Sequence, residues 1–187
     1  MLKIIFKNSI KLTIGGITLG LLHHYDWFVA LLLIAKITHT YSKRKKNNTL
    51  PTKLVLGFFL TALLGLLAEY LGTEFHFWEY HDINTQLPLW LFFAWGAAFI
   101  IIYQTEEQII KLEPNLSKRN KNLLLLFLVA LFPTYGEIIA IQLGTWTYDM
   151  PYQILGVPVA AIIALIAIHS VINLIVNFLD KKLQKTQ

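Results

Sequence analysis

LVLGFFLTALLGLLAEYLGTEFHFWEYHD, running from Leu54 to Asp82, is apolar up to Ala68 apart from Thr61. It then carries a glutamate and ends in a group of Trp, Tyr, His and acidic residues. A helix needs ~20 apolar residues to cross a ~30 Å hydrocarbon core, so this stretch reads as one span with a carboxylate set inside it. LLLLFLVALFPTYGEIIAIQLGTWTYD, from Leu123 to Asp149, repeats the pattern. At an offset of 68 residues Glu69 matches Glu137, Trp78 matches Trp146 and Tyr80 matches Tyr148. Each copy spells E-x8-W-x-Y and is followed by a proline, Pro88 or Pro158, that opens the next helix.

The rest of the chain fits a membrane protein. Of 187 residues 56% are apolar and 14% charged, and the mean hydropathy is +0.56, so lipid rather than water is the expected solvent. In lipid each helix must satisfy its own backbone. The apolar runs predict all-α architecture with helices near 4–22, 27–41, 54–72, 87–103, 123–143 and 157–178. All sixteen Lys and Arg then fall on one side: Lys3, Lys7 and Lys11; Lys36, Lys43, Arg44, Lys45, Lys46 and Lys53; Lys111, Lys118, Arg119 and Lys121; Lys181, Lys182 and Lys185. By the positive-inside rule that side is cytoplasmic, giving about six spans with both termini inside and the bias expected of a bacterial inner (cytoplasmic) membrane. Residues 1–50 form an N-terminal helical hairpin and basic loop. Residues 51–187 form a duplicated four-helix unit, repeat 1 about 54–103 and repeat 2 about 123–178, within one membrane domain. His23-His24-Tyr25-Asp26 follow the first segment where the small residues of a cleavage site would stand, so that segment is read as a retained span.

Several function classes fall away. There is no cysteine, which removes disulfides, thiol nucleophiles and cysteine-held metals or clusters. No Walker A loop, no G-x-G-x-x-G and no G-x-S-x-G elbow is present, and no motif calls for a cofactor. The +5 charge follows topology, so no nucleic acid is expected as a partner. The expected partners are membrane lipid or a hydrophobic small molecule, with a homo-oligomer or a protein partner left open.

Both copies run outward and return, which makes them parallel repeats about an axis along the membrane normal, with equivalent residues at equal depth. Glu69 and Glu137 are then able to share a site. A carboxylate in a span costs about 2.5 to 3.5 kcal/mol on insertion scales, so it is usually turned inward, partnered or protonated. Two together form an acid–base pair, whereas separate hydrogen bonds to neighbouring helices make them structural. Trp78, Tyr80, Trp90, Trp95, Trp146 and Tyr148 are the expected lining of such a site. Taken alone these aromatics are equally explained as interfacial anchors.

His169, Asn173 and Asn177 stand four residues apart and form one polar stripe on the sixth helix. Interhelical bonding explains the stripe, and a polar relay through His169 and Asn173 is the functional alternative. His23, His24 and Asp26, and Glu74, His76, Glu79, His81 and Asp82, gather in two loops on the opposite side. No H-x3-H or H-E-x-x-H pattern joins them, so they are read as solvated and no metal is expected.

At the repeats the sequence resembles known families. Ala68-Glu69-Tyr70-Leu71-Gly72-Thr73, ending in Trp78-Glu79-Tyr80, is similar to the E-x-x-G-T and aromatic motif of membrane carotenoid hydratases of the bacterioruberin pathway. Leu143-Gly144-Thr145-Trp146-Thr147-Tyr148-Asp149, then Gly156-Val157-Pro158, resembles the signature of small membrane lycopene cyclase domains. The two matches cover residues 65 to 160. They imply a multi-helix protein that binds a long isoprenoid polyene and protonates a double bond with Glu69 and Glu137. The cyclases follow their proline with paired glutamates. Here Pro88 precedes Leu89-Trp90-Leu91 and Pro158 precedes Val159-Ala160-Ala161, so cyclisation is not implied.

The function expected is therefore an isoprenoid, carotenoid or lipid-modifying enzyme with Glu69 and Glu137 as catalytic residues. The alternative is a non-enzymatic membrane component: a small-molecule or ion carrier, or a docking subunit of a larger complex.

Overall fold

In the computed structural model residues 1–184 are described, and they form six α-helices with two small antiparallel strand pairs. The helices are α1 (Leu2–Leu22), α2 (Asp26–Lys46), α3 (Thr52–Glu74), α4 (Leu91–Leu112), α5 (Lys118–Gln142) and α6 (Val159–Gln184). Strand β1 (Trp78–Tyr80) follows α3, and β2 (Trp146–Tyr148), β3 (Gln153–Ile154) and β4 (Val157–Pro158) connect α5 to α6. Lys185, counted above with the basic tail, lies outside the described residues.

Among the described residues α1, α3, α5 and the Val159–Asp180 part of α6 are long and apolar enough to cross a membrane. Two of the six expected spans do not reach that measure, for a visible reason. Helix α2 carries Lys36 and His39 and ends in Lys43-Arg44-Lys45-Lys46, while α4 runs past the expected residue 103 through Gln104-Thr105-Glu106-Glu107-Gln108. Helix α4 also starts at Leu91 rather than 87, because Pro88 to Trp90 form the turn that leads into it and Pro88 only accepts the Leu91 N–H.

The outward faces are apolar. Phe6, Ile10, Ile14, Ile17 and Leu21 on α1, Phe59, Leu63 and Leu67 on α3, and Ile163, Val171, Leu174 and Phe178 on α6 are all exposed. Spaced three, four or, between Ile163 and Val171, eight residues apart, they form stripes that a water-soluble bundle would turn inward. With the four apolar helices they mark the chain as a membrane-embedded, multi-pass protein.

Helix α3 packs on α4 and α6, and α5 packs on α6, α4 and α1. Close approach along α3 and α4 depends on glycine. A Cβ on Gly57 would overlap the Phe99 ring, one on Gly65 the Trp95 indole, and one on Gly96 the Phe58 ring. Each aromatic fills the notch left by a missing side chain, as expected where lipid gives helices little hydrophobic reason to associate. At the basic end polar links close the bundle: Arg44 to Glu107 at 2.6 Å, the Asn8 amide to Thr105 at 2.9 Å, and Lys53 to Asn177 at 3.0 Å and to Asp180 at 3.5 Å.

At the other end Asp26, at the tip of the first hairpin, accepts the backbone N–H of Leu89 at 2.7 Å and of Trp90 at 3.4 Å. It thereby satisfies orphan donors at the start of α4 and holds its N-terminal charge.

The glycine notches give a stability prediction. Gly57→Val should destabilise the fold by about 1–3 kcal/mol through overpacking against Phe99. Thermal unfolding in detergent is the measurement, and an unchanged midpoint would refute the notch.

Candidate functional site

Helices α3 and α5 end in the same way. The chain turns left-handed at His76 (φ 56°) after α3 and at Gly144 (φ 78°) after α5. The next N–H returns to the fifth carbonyl back, Phe77 to Gly72 at 2.8 Å and Thr145 to Ala140 at 3.1 Å. The turn residues themselves bond three back, His76 to Thr73 at 3.1 Å and Gly144 to Ile141 at 2.9 Å. These are Schellman closures, and they satisfy the last carbonyls while reversing the chain. Strands β1 and β2 are thereby folded back over the helix ends they have just left.

The two strands pair antiparallel, with Trp78 opposite Tyr148, Glu79 opposite Thr147 and Tyr80 opposite Trp146. Asp149 N–H to the Phe77 carbonyl at 2.8 Å and His81 N–H to the Thr145 carbonyl at 3.0 Å extend the ladder at both ends. The aromatic rings pack across it: Trp78 on Tyr148 with centroids 5.4 Å apart, Tyr80 on Trp146 at 5.6 Å, and Trp90 on Tyr80 at 6.0 Å.

From this layer polar ends reach down to the glutamates. Tyr80 donates its hydroxyl to Glu69 Oε2 at 2.9 Å, and Tyr148 donates to Glu137 Oε2 at 3.0 Å. Burial, followed by the charge of the nearby glutamates, holds both phenols well above the ordinary range, so each keeps the proton it donates. Glu69 has two further donors, Trp78 Nε1 to Oε2 at 2.8 Å and Trp95 Nε1 to Oε1 at 3.0 Å. Among the described residues Tyr148 alone donates to Glu137. Pro133, one turn earlier in α5, has no N–H, so the Val129 carbonyl loses its helical donor near the carboxylate.

Glu69 and Glu137 line one cavity of about 200 Å³. Tyr80, Trp90, Trp95, Trp146, Tyr148 and His169 share the lining, and the remaining wall is aliphatic, aromatic or glycine. Trp90, which caps the start of α4, marks one end of the lining and Ile102 on α4 the other, a length of about 18 Å at 1.5 Å per residue. The two carboxylates therefore face an elongated apolar chamber. Trp78, expected in the lining, instead stands behind Glu69 as a hydrogen-bond donor and faces a second, polar pocket on the outer side of the strands. That pocket, also touched by Tyr80 and Tyr148, includes Thr73, Glu79, Gln86 and Asp149.

His169 and Asn173 part company. His169 is buried against the Trp95 ring with centroids 6.4 Å apart, whereas Asn173 is absent from the lining and accepts from Asn177 at 3.0 Å. Among the described residues no hydrogen bond connects the two, and Asn177 continues to Lys53 at the basic end. In the outer loops His23 sits 3.4 Å from Asp82 and His81 3.7 Å from Glu79. Among the described residues no three His, Asp or Glu side chains group as a metal set.

The sequence reading assigned nothing at this site to the first hairpin, yet Leu12, Gly15, Gly16 and Leu19 of α1 and Leu33 of α2 line the cavity. The available signal was the Gly15-Gly16 pair inside an apolar span, a mark of close helix approach or an open space beside a helix. Comparisons with protein-family models, with curated proteins and with solved structures find no match to this chain.

Proposed function

We propose that the chain is a six-span inner-membrane enzyme, both termini cytoplasmic, that uses Glu69 and Glu137 for acid–base addition of water to a double bond of a long isoprenoid. The observation that carries this reading is the joint exposure of both carboxylates to one elongated and otherwise apolar cavity. A hydrocarbon chain matches the wall, and the groups that offer chemistry are the two glutamates with their Tyr and Trp donors, with His169 beside them.

The duplication reading draws support from the strand register. Under exchange of residues 68 apart the pairing of Trp78 with Tyr148 becomes that of Tyr80 with Trp146, and Glu79 with Thr147 maps onto itself. The matched Schellman closures and the two Tyr-to-Glu bonds obey the same exchange. A two-fold axis through the strand pair accounts for all three.

The proposed chemistry follows from the partners of each carboxyl. Glu137, with one donor, holds a proton on its spare oxygen and gives it to one alkene carbon. The π pair forms the new C–H bond and leaves a tertiary cation on the neighbouring carbon. Water adds its oxygen to that carbon, and its proton passes to Glu69, whose negative form is held by three donors. Return of that proton to Glu137 restores the pair, and the sum is an alkene plus water giving a tertiary alcohol. This is the reaction class that resemblance to the carotenoid hydratases implies.

A carrier would need a polar route through the bundle. Toward the basic end the cavity is stopped by Ile102, Leu128, Val129 and Phe132, all buried and in contact, which favours a chamber over a channel.

Membranes containing the chain, given an acyclic isoprenoid polyene such as lycopene, should yield a product heavier by one water on mass spectrometry. Glu69→Gln and Glu137→Gln should each lower that rate about 100-fold or more with the fold intact. Tyr148→Phe removes one bond to an ionisable group and should cost about 10-fold or more. Full activity in both glutamine variants would remove the carboxylates from the chemistry.

The lack of native cysteine makes topology directly testable. Single cysteines at Lys46 and Asn115 should react with an impermeant maleimide only after permeabilisation of whole cells, and one at Glu79 should react before it. Labelling of all three from one side would overturn the six-span arrangement.

A further inference from the structure

We infer that the apolar chain reaches the glutamates sideways from the bilayer, through a portal between α1 and α2 at Gly15 and Leu33. This rests on the reading of the cavity as a site for a chain-shaped apolar ligand, and it adds the route.

The depth of the portal follows from contacts between α1 and α5. A Cβ on Gly136 would lie 3.7 Å from Leu12, one on Gly16 3.2 Å from Ile139, and Thr13 bonds Tyr135 at 2.8 Å. The two helices therefore run in parallel, and Gly15 lies within a turn of Glu137. Gly15 stands seven residues before the end of α1 at Leu22, and Leu33 seven residues after the start of α2 at Asp26. Both are then about 10 Å below the tip of the hairpin.

Gly15 differs from the glycines that seal helix contacts. It lines the cavity, it is exposed, and a Cβ there would meet nothing within 4 Å. Space thus continues from the chamber past Gly15 to the outside. The surface beside that opening is apolar on its hydrocarbon side, with Ile10, Ile14 and Ile17 exposed on α1 and Leu31, Leu32 and Ile34 exposed on α2, while Lys11 and Lys36 stand one turn away toward the basic end. Such a mouth faces hydrocarbon, not water.

The other two directions are closed. The layer of Trp78, Tyr80, Trp146 and Tyr148 covers the chamber at the strand end, and buried Phe132, Leu128, Val129 and Ile102 close it at the basic end.

Two polar atoms at the chamber point to an occupant. Among the described residues His169, 4% exposed, has no partner for Nε2, and Trp90, 1% exposed, has none for Nε1, and both side chains belong to the lining. Buried polar atoms of a folded chain normally have partners. An occupant bearing a hydroxyl, or a water carried with it, supplies what the protein leaves out.

The probe for the test is trans-parinaric acid, a linear conjugated polyene that takes energy from tryptophan. Four of the five tryptophans of the chain, Trp78, Trp90, Trp95 and Trp146, stand at or beside the chamber. The full chain in lipid nanodiscs is mixed with the probe, and the saturable quenching is followed by stopped flow. Gly15→Phe, whose Cβ meets nothing within 4 Å, places a ring in the mouth and should slow capture about tenfold or more, while Ile14→Phe, on the same helix but outside the lining, should not. Leu33→Ala widens the opposite lip and should quicken capture, which keeps the test intact if Gly15→Phe fails to give a monodisperse protein. Saturable quenching in the wild-type chain with unchanged rates in Gly15→Phe or, failing that variant, in Leu33→Ala overturns the portal alone. Absence of saturable quenching in the wild-type chain overturns the ligand reading and the portal together.

Discussion

A carboxylate held inside a helix that crosses hydrocarbon has lost water, and whatever replaces water must be supplied by the same chain. Glu69 sets this requirement for the whole upper half of the molecule. Its two oxygens take the indole N–H of Trp78 and Trp95 and the hydroxyl of Tyr80, all within 3.0 Å. Three donors on one carboxylate are a large part of what an ion at that depth needs. They come from two places: β1 for Trp78 and Tyr80, and α4 for Trp95. The reversal at His76 exists because two of those donors lie beyond the end of the helix that carries the acceptor. The notch at Gly65 exists because the third sits on a ring pressed against α3.

The same arrangement decides what the cavity is. Were the strands to extend away from the bundle, the glutamates would meet water at the helix ends and the chamber would be an open cleft. Folded back and paired, β1 and β2 make a ceiling of four aromatic rings, with their polar tips facing inward and their backbone groups bonded to each other. The backbone of this non-helical segment is satisfied, as it must be beside hydrocarbon. Asp26 fixes the third side by tying the tip of the first hairpin to the start of α4, so α1 and α2 are held where they can wall the chamber. That contact is a single carboxylate on two backbone N–H groups, and with the packing of α1 on α5 it ties the first hairpin to the site.

Much of this was legible before any coordinates. The apolar runs located all six helices, the E-x8-W-x-Y pattern picked out both glutamates, and the eleven-residue step from Glu to Tyr became the same hydrogen bond in both copies. Other features were hidden because they depend on pairs of distant residues. Trp95 is one more apolar residue in a span until Gly65 is known to face it. Gly15 reads as a packing glycine, like Gly57, until its surroundings prove empty. The lengths of α2 and α4 were underestimated because a hydropathy pattern ends where Lys and Glu begin, whereas the helices continue through those residues and pair them, Arg44 with Glu107. Hydropathy reports the edge of lipid, and a helix ends where its carbonyls find other donors.

The differences between the copies matter as much as their likeness. Two carboxyls related by strict symmetry would have equal partners and equal tendencies to hold a proton, and an acid–base pair needs them unequal. The inequality is traceable to two positions: Trp78 donates to Glu69, whereas its counterpart Trp146 makes no such bond to Glu137 among the described residues, and the second lies on the following helices. Seven residues after Pro88 stands Trp95, which donates to Glu69; seven residues after Pro158 stands Leu165, which lines the same cavity and has nothing to donate. On the duplication reading, an ancestral two-fold site lost, or gained, a donor at each of these two places. The consequence is local and chemical. In the proposed chemistry Glu69, with three donors, takes the charged role. Glu137, left with Tyr148 alone beside the open end of the cavity at Gly136 and Gly15, keeps an oxygen free for a proton and for whatever occupies the chamber.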